Sequence, residues 1–211
     1  AWYLVSVPVQ WGSTNWNRLD STLGSQVTRG MTGGVDDTAA DNLWLQGTGT
    51  WIRYWLSTTN VWKDTNNATA TTEIPPGVGF WVKRTTNGPA TSKTVYTGRP
   101  QTNSTLLTFP SNTWTVFAWP YARPRYESDG AGTNKGWGFK ALGGQGSYTW
   151  NYADDMTGEY GSNLFSCYLG TNGRWYARGT RNVTNVALEA GKAYYYFHRG
   201  TGMVWRATPS P

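Results

Sequence analysis

The chain is poor in the residues that most often carry chemistry. Its 211 residues include one cysteine, Cys167, and one histidine, His198. A lone cysteine excludes an intrachain disulfide and any cysteine-based zinc site, so Cys167 is expected to be a small buried hydrophobe. Charged residues make up only 14% of the chain, and the 18 lysines and arginines that outnumber 12 acids are scattered without a run of five. Scattered cations form no electrostatic groove, which argues against a nucleic-acid partner. Long apolar runs are missing as well, so no membrane span is expected. The glycine-rich stretches "GMTGGVDD" and "LGGQGS" lack the Lys-Ser/Thr of a phosphate-binding loop, and no serine sits in a nucleophile elbow. No cofactor is implied, and the chain reads as non-enzymatic. His198, in "YYYFHRG", is expected at the surface near a strand end. Helical periodicity is confined to "STNWNRLDSTLG" (13–24), enough for one or two turns.

Aromatics and glycine fill the space left by charge: 14 Trp, 13 Tyr and 26 Gly. Short β-branched or aromatic runs such as "WYLVSVPV", "TWIRYWL", "VGFWVKR", "STLLTF", "WTVFAWPY" and "KAYYYFHR" are bounded by Gly, Pro, Asn or Thr and read as strands. The fold class is therefore all-β.

Landmarks recur in order. Trp2 precedes Pro8 by six residues, as Trp114 precedes Pro120. Asn42-Leu43 matches Asn163-Leu164, Trp51 matches Trp175, Gly77 matches Gly191, and Phe80-Trp81 matches Tyr194-Tyr195, with offsets of 112 at the prolines, 121 at Asn-Leu and 114 at the glycines. Two tandem, related, antiparallel and sandwich-like β modules are expected, 1–98 and 105–211, joined by a polar linker, 99–104. A proline ends the first strand of each because it offers no backbone donor. Pro75-Pro76-Gly77 fits a type II turn in which glycine supplies the positive φ.

The combination "WYLVSVPV…NLW…IPPGVGFWV…VYTG" resembles a repeat of exported bacterial β proteins, whose pattern runs roughly Trp-Asn-Leu-Val-Ser-Leu-Pro and then Pro-Gly-x-Gly-Phe-Trp-Val. It covers residues 2–98; the second copy lacks the serine, the proline and the second glycine of the pattern. The resemblance implies secretion and a surface role and brings no catalytic residue. An extracellular or cell-surface location also fits a chain that opens at Ala1, without methionine, directly on a strand, as after signal-peptide removal. Three sequons, at Asn67, Asn103 and Asn182, are candidate glycosylation positions.

Fourteen tryptophans exceed the needs of a two-module core, and those in polar, loop-like contexts, Trp11, Trp16, Trp62, Trp137 and Trp150, are the candidates for an aromatic binding surface. The doublets Asp36-Asp37 and Asp154-Asp155 are weak calcium candidates and read first as solvated turns; no metal site is assigned. The strand "STLLTF" (104–109) precedes the second module, whereas the first opens almost at Trp2 with no counterpart. A vacant edge invites a strand from another chain, and head-to-tail addition propagates as a filament. The leading expectation is a structural subunit of a self-assembling filament, pilus-like appendage or sheath, its partners being copies of itself. The alternative is a secreted, lectin-like module that binds glycans through exposed Trp and Tyr.

Overall fold

The computed structural model describes residues 2–7, 9–10, 18–19, 30–85, 99–127, 137–160 and 163–209. In chain order the first half carries β1 (Trp2–Ser6), β2 (Val9–Gln10), β3 (Asn42–Gln46), β4 (Trp51–Leu56), β5 (Trp62–Lys63), β6 (Gly79–Lys83) and β7 (Arg99–Pro100). The second carries β8 (Thr105–Phe109), β9 (Thr113–Ala118), β10 (Arg125–Tyr126), β11 (Asp155–Tyr160), β12 (Asn163–Leu169), β13 (Trp175–Ala177), β14 (Ala187–Leu188), β15 (Ala193–His198) and β16 (Met203–Ala207). Helix among the described residues is limited to short 3-10 turns, including Lys140–Leu142 and Trp150–Tyr152. The expected turns over 13–24 fall almost wholly outside the described residues.

Two five-stranded antiparallel sheets dominate, ordered β1-β6-β3-β4-β5 and β9-β15-β11-β12-β13. The orders are the same: opening strand, closing strand, then a three-strand meander. Each sheet buries one face, because side chains alternate along a strand. Val5, Leu43, Leu45, Tyr54, Leu56, Trp62, Phe80 and Val82 form the first core. Phe117, Met156, Cys167, Leu169, Trp175, Tyr194 and Tyr196 belong to the second, where β8 and β16, paired with each other, lay Leu107, Phe109, Met203 and Trp205 across that face. Phe109 meets Tyr196 edge-on at 4.7 Å, and Trp205 stacks on Trp119 at 5.8 Å. "STLLTF" is thus part of a covering layer rather than a sixth strand of the main sheet.

Strand order corrects the middle of the sequence alignment. The opening and closing landmarks correspond as expected: Gly77 (φ 91°) and Gly191 (φ 79°) occupy the same turn, closed by Val78 N–H to Pro75 O and Lys192 N–H to Glu189 O. The Asn-Leu pairs do not correspond. Asn42-Leu43 opens β3, whose counterpart is β11 with Asp155-Met156, whereas Asn163-Leu164 opens β12, the counterpart of β4. Trp175 matches Trp62 in β5, not Trp51.

The reason lies in an equivalent buried aspartate in each module. Asp41 N–H donates to Thr32 O, and its Oδ2 accepts from Thr32 N–H (2.8 Å) while Oδ1 accepts from Thr85 N–H (2.6 Å). Asp154 repeats this: its N–H donates to Gln145 O, Oδ2 accepts from Gln145 N–H (3.0 Å) and Oδ1 from Arg199 N–H (2.7 Å). Leu56 N–H and Leu169 N–H close the same bond to the two aspartate carbonyls. Asp41 pairs with Arg84 Nε at 2.7 Å, and Asp154, at the same place, with His198 Nδ1 at 3.0 Å. A side chain that satisfies several backbone donors fixes where three segments meet, so the aspartate is the invariant of the module and the residues after it are free to differ.

The sheets meet about an approximate two-fold axis, visible in backbone contacts that come in reciprocal pairs. Ser6 N–H donates to Gly191 O, and Ala118 N–H to Gly77 O. Val5 bridges Lys192, and Phe117 bridges Val78. Gly79, Val116, Ala118 and Ala193 line the junction, small enough for the backbones to approach. The segment expected as a linker begins as a strand: Arg99–Pro100 pairs with Val9–Gln10, and Gln101 is buried.

Cys167 is fully buried, as expected, and burial pushes its thiol well above the usual range. A thiol reagent at pH 8 is therefore expected to leave native protein unmodified and to label one thiol per chain in denaturant. Rapid native labelling would contradict the packing of β12.

Candidate functional site: an aromatic groove between the sheets

Alternation places a second set of aromatics on the faces that do not enter the cores. In β3, Leu43 and Leu45 point inward and Trp44 outward; in β6, Phe80 points inward and Trp81 outward. Small residues hold the sheets together at the axis, and the tryptophans farther out keep them apart. The result is a groove. One cavity of about 340 Å³ is lined by Trp2, Trp44, Trp51, Trp81 and Tyr195, and a neighbour of about 430 Å³ by Gln46, Trp51, Trp114, Thr157 and Tyr195.

The rings form a continuous row across the junction. Trp44 lies 6.0 Å from Trp2, Trp2 6.1 Å from Trp81, Trp81 6.0 Å from Tyr195, Tyr195 6.1 Å from Trp114, and Trp114 5.1 Å from Phe197, between ring centroids. Cations cover both ends: Arg53 over Trp44, Lys83 over Trp2 and Arg199 over Phe197. Trp2 (52% exposed) and Trp114 (42%) stand at structurally equivalent positions and open the row to solvent. At its centre Trp81 Nε1–H donates to Tyr195 Oη at 2.6 Å. Burial raises the Tyr195 phenol above its ordinary range, and the bond from Trp81 opposes the rise. Gln46 clamps the sheets, donating from Nε2 to Trp114 O and accepting at Oε1 from Val116 N–H, both at 2.6 Å. Trp44 Nε1–H is buried and has no acceptor among the described residues.

The aromatic candidates from the sequence are distributed differently. Trp62 and Trp137 are core residues, each 1% exposed. Trp62 occupies β5, and Trp137, at φ 61°, turns its ring onto Trp175 and Phe139. Trp150 is exposed, with the Arg178 guanidinium 4.3 Å from its centroid. Trp11 and Trp16 lie outside the described residues. Trp44, Trp81 and Tyr195 each stand between two core residues, so alternation marks them as outward-facing, whereas Trp2, Trp51 and Trp114 have no described core residue beside them and leave no such signal.

The acid doublets also separate. Asp36 is exposed and its carboxylate caps the turn at Thr38 and Ala39, bonds that lower its pKa, and Asp37 pairs with Arg53. Asp154 and Asp155 are buried rather than solvated. Asp155 is held by Arg178 (3.1 and 2.5 Å) and more distantly by Arg199, yet burial outweighs these cations and raises its pKa. His198 is buried too, against the expectation of a surface position. Its Nδ1 faces Asp154 and its Nε2 faces Thr201 O at 2.7 Å, while Tyr196 Oη–H donates to the same Asp154 oxygen at 2.5 Å. With both ring nitrogens occupied and no route to solvent, this cluster is a structural joint. No group of three or more His, Cys, Asp or Glu suited to a metal occurs among the described residues. Asn67, Asn103 and Asn182 are all exposed, and no described helix is long and apolar enough to cross a membrane.

Comparisons of the chain with protein-family models, with curated proteins and with solved structures found no match in any of the three.

Proposed function

We propose that the chain is a non-catalytic extracellular structural protein, a subunit that joins copies of itself into a filament, pilus-like appendage or sheath by strand addition and aromatic contacts. The observation that carries this reading is a broken symmetry. At Gly77, strand β8 packs against the turn: Leu107 Cδ2 and Thr105 Cγ2 stand 2.5 and 3.3 Å from where a Cβ would be. At the equivalent Gly191 no described atom lies within 4 Å. A place that one module fills with its own strand and the other leaves to be filled suits a strand from a neighbouring copy. Donor and acceptor surfaces then differ, so the contact is heterologous and propagates. Electron microscopy of the protein over a range of concentrations tests this.

The groove favours a second reading, a secreted glycan-binding module. A row of rings gives sugar faces somewhere to stack, and Gln46 and Thr157 supply polar groups beside it. Monodisperse protein that binds glycans, and loses that binding when Trp2 and Trp114 are changed to alanine, would favour this reading over assembly.

A further inference from the structure

A second cleft lies at the far edge of the second sheet, four strands from the groove's Trp114. It has a volume of about 250 Å³ and is built by the loop before β11, the end of β12, β13 and the segment that follows. Tyr168 and Tyr176 are direct partners across β12 and β13, and their rings lie nearly parallel, 28° apart with centroids at 5.8 Å. Tyr148 stands beside them, 81% exposed. Asn172 Nδ2 donates to Tyr176 Oη at 2.9 Å, and Asn172 Oδ1 accepts from Arg174 N–H at 3.1 Å, so the Tyr176 ring is held in place. Among the described residues Arg181 is the one charged residue in the lining, and no acid accompanies it.

Tyr168 is buried, as is its counterpart Trp55, but packing does not call for Tyr148 or Tyr176. At the structurally equivalent positions of the first module stand Val35 for Tyr148, Trp55 for Tyr168, Ser57 for Gly170 and Lys63 for Tyr176, and the same sheet forms. A Cβ at Gly170 would overlap the Tyr176 ring, so the glycine makes room for that ring in this module alone. Tyr148, mostly in water, contributes little to the core.

We propose that this cleft is a sugar subsite that takes an acidic pyranose, a uronic acid residue within a polysaccharide. The Tyr148 and Tyr176 rings, the latter backed by buried Tyr168, offer a face for the apolar side of the pyranose, Ser147 and Asn172 lie within reach of its hydroxyls, and the planar Arg181 guanidinium suits a carboxylate by paired hydrogen bonds. The formal net charge of +6 draws anionic chains to the protein at long range. The site is separate from the groove and stands whether or not the chain polymerises.

The test is calorimetric titration of the full chain with trigalacturonic acid and with neutral maltotriose. The expected result is binding of the uronate only, weakened about tenfold or more by Arg181→Gln, as loss of a charge-assisted hydrogen bond implies, weakened similarly by Tyr148→Ala, and unchanged by Trp2→Ala. Both cleft positions are exposed, so the variants are expected to fold. Failure of the uronate to bind, equal binding of the neutral sugar, or indifference to both cleft variants would overturn the proposal. Sensitivity to Trp2→Ala alone would move the sugar to the groove.

Discussion

Asp154→Ala is expected to destabilise the protein by about 3 kcal/mol or more, since each buried polar group left unsatisfied costs about 1–3 kcal/mol. The substitution strands His198, which is fully buried, and removes the acceptor of Tyr196 Oη–H. It also leaves Gln145 N–H and Arg199 N–H without their carboxylate. Chemical denaturation provides the measurement: the midpoint should fall while the slope is preserved. Asp154→Asn should fall in between, because it keeps an oxygen for one backbone donor while losing the charge. Asp41→Ala should produce a parallel loss in the first module, where Arg84 takes the place of His198. A loss below about 1 kcal/mol, within the range of a surface pair, would mean that Asp154 is not the joint described above.

Gly79→Val is expected to wedge the modules apart. A side chain there would run into Ala193 Cβ and Val116 Cγ1, with Phe117 O 3.2 Å away, at the centre of the junction. Neither β6 nor β9 can retreat, since each is held in its own sheet. Overpacking of this kind costs about 1–3 kcal/mol, occasionally more. Its location is the sharper prediction. Hydrogen exchange should accelerate at Ser6 N–H and Ala118 N–H, the reciprocal bonds between modules, while the amides inside each sheet stay protected. Uniform acceleration everywhere would show that the modules do not behave as separable units, and no change would show that the junction is looser than the distances imply.

What could be read from sequence was what short-range physics dictates. The strands follow from aromatic and β-branched runs, and the turn at Pro75-Pro76-Gly77 from proline and glycine geometry. The opening and closing strands of the two modules correspond because their landmarks are bound to a turn or a chain reversal. The middle misled because Asn-Leu recurs at 42–43 and 163–164 by coincidence, while the true counterpart of Asp41-Asn42-Leu43 is Asp154-Asp155-Met156. Only the aspartate is retained, and its role is to collect backbone donors from distant segments, which leaves no periodic trace.

The tryptophans misled for a related reason. A polar neighbourhood says little about a side chain in a two-residue strand such as Trp62–Lys63, or at a positive φ such as Trp137, where the ring can turn inward beneath a polar loop. Some groove residues did leave a trace: Trp44 sits between two core leucines, and Trp81 follows core Phe80. His198 left one as well, two residues after Tyr196 and four after Tyr194, both on the inward face. Applied residue by residue, the two-residue period assigns all three correctly.

Self-assembly is the central claim, and negative-stain electron microscopy of the purified protein across a range of concentrations tests it most directly. The expected result is ordered filaments that lengthen with concentration, each subunit supplying a strand to the open turn at its neighbour's Gly191. Monodisperse particles at every concentration would contradict it and leave the groove as a glycan site.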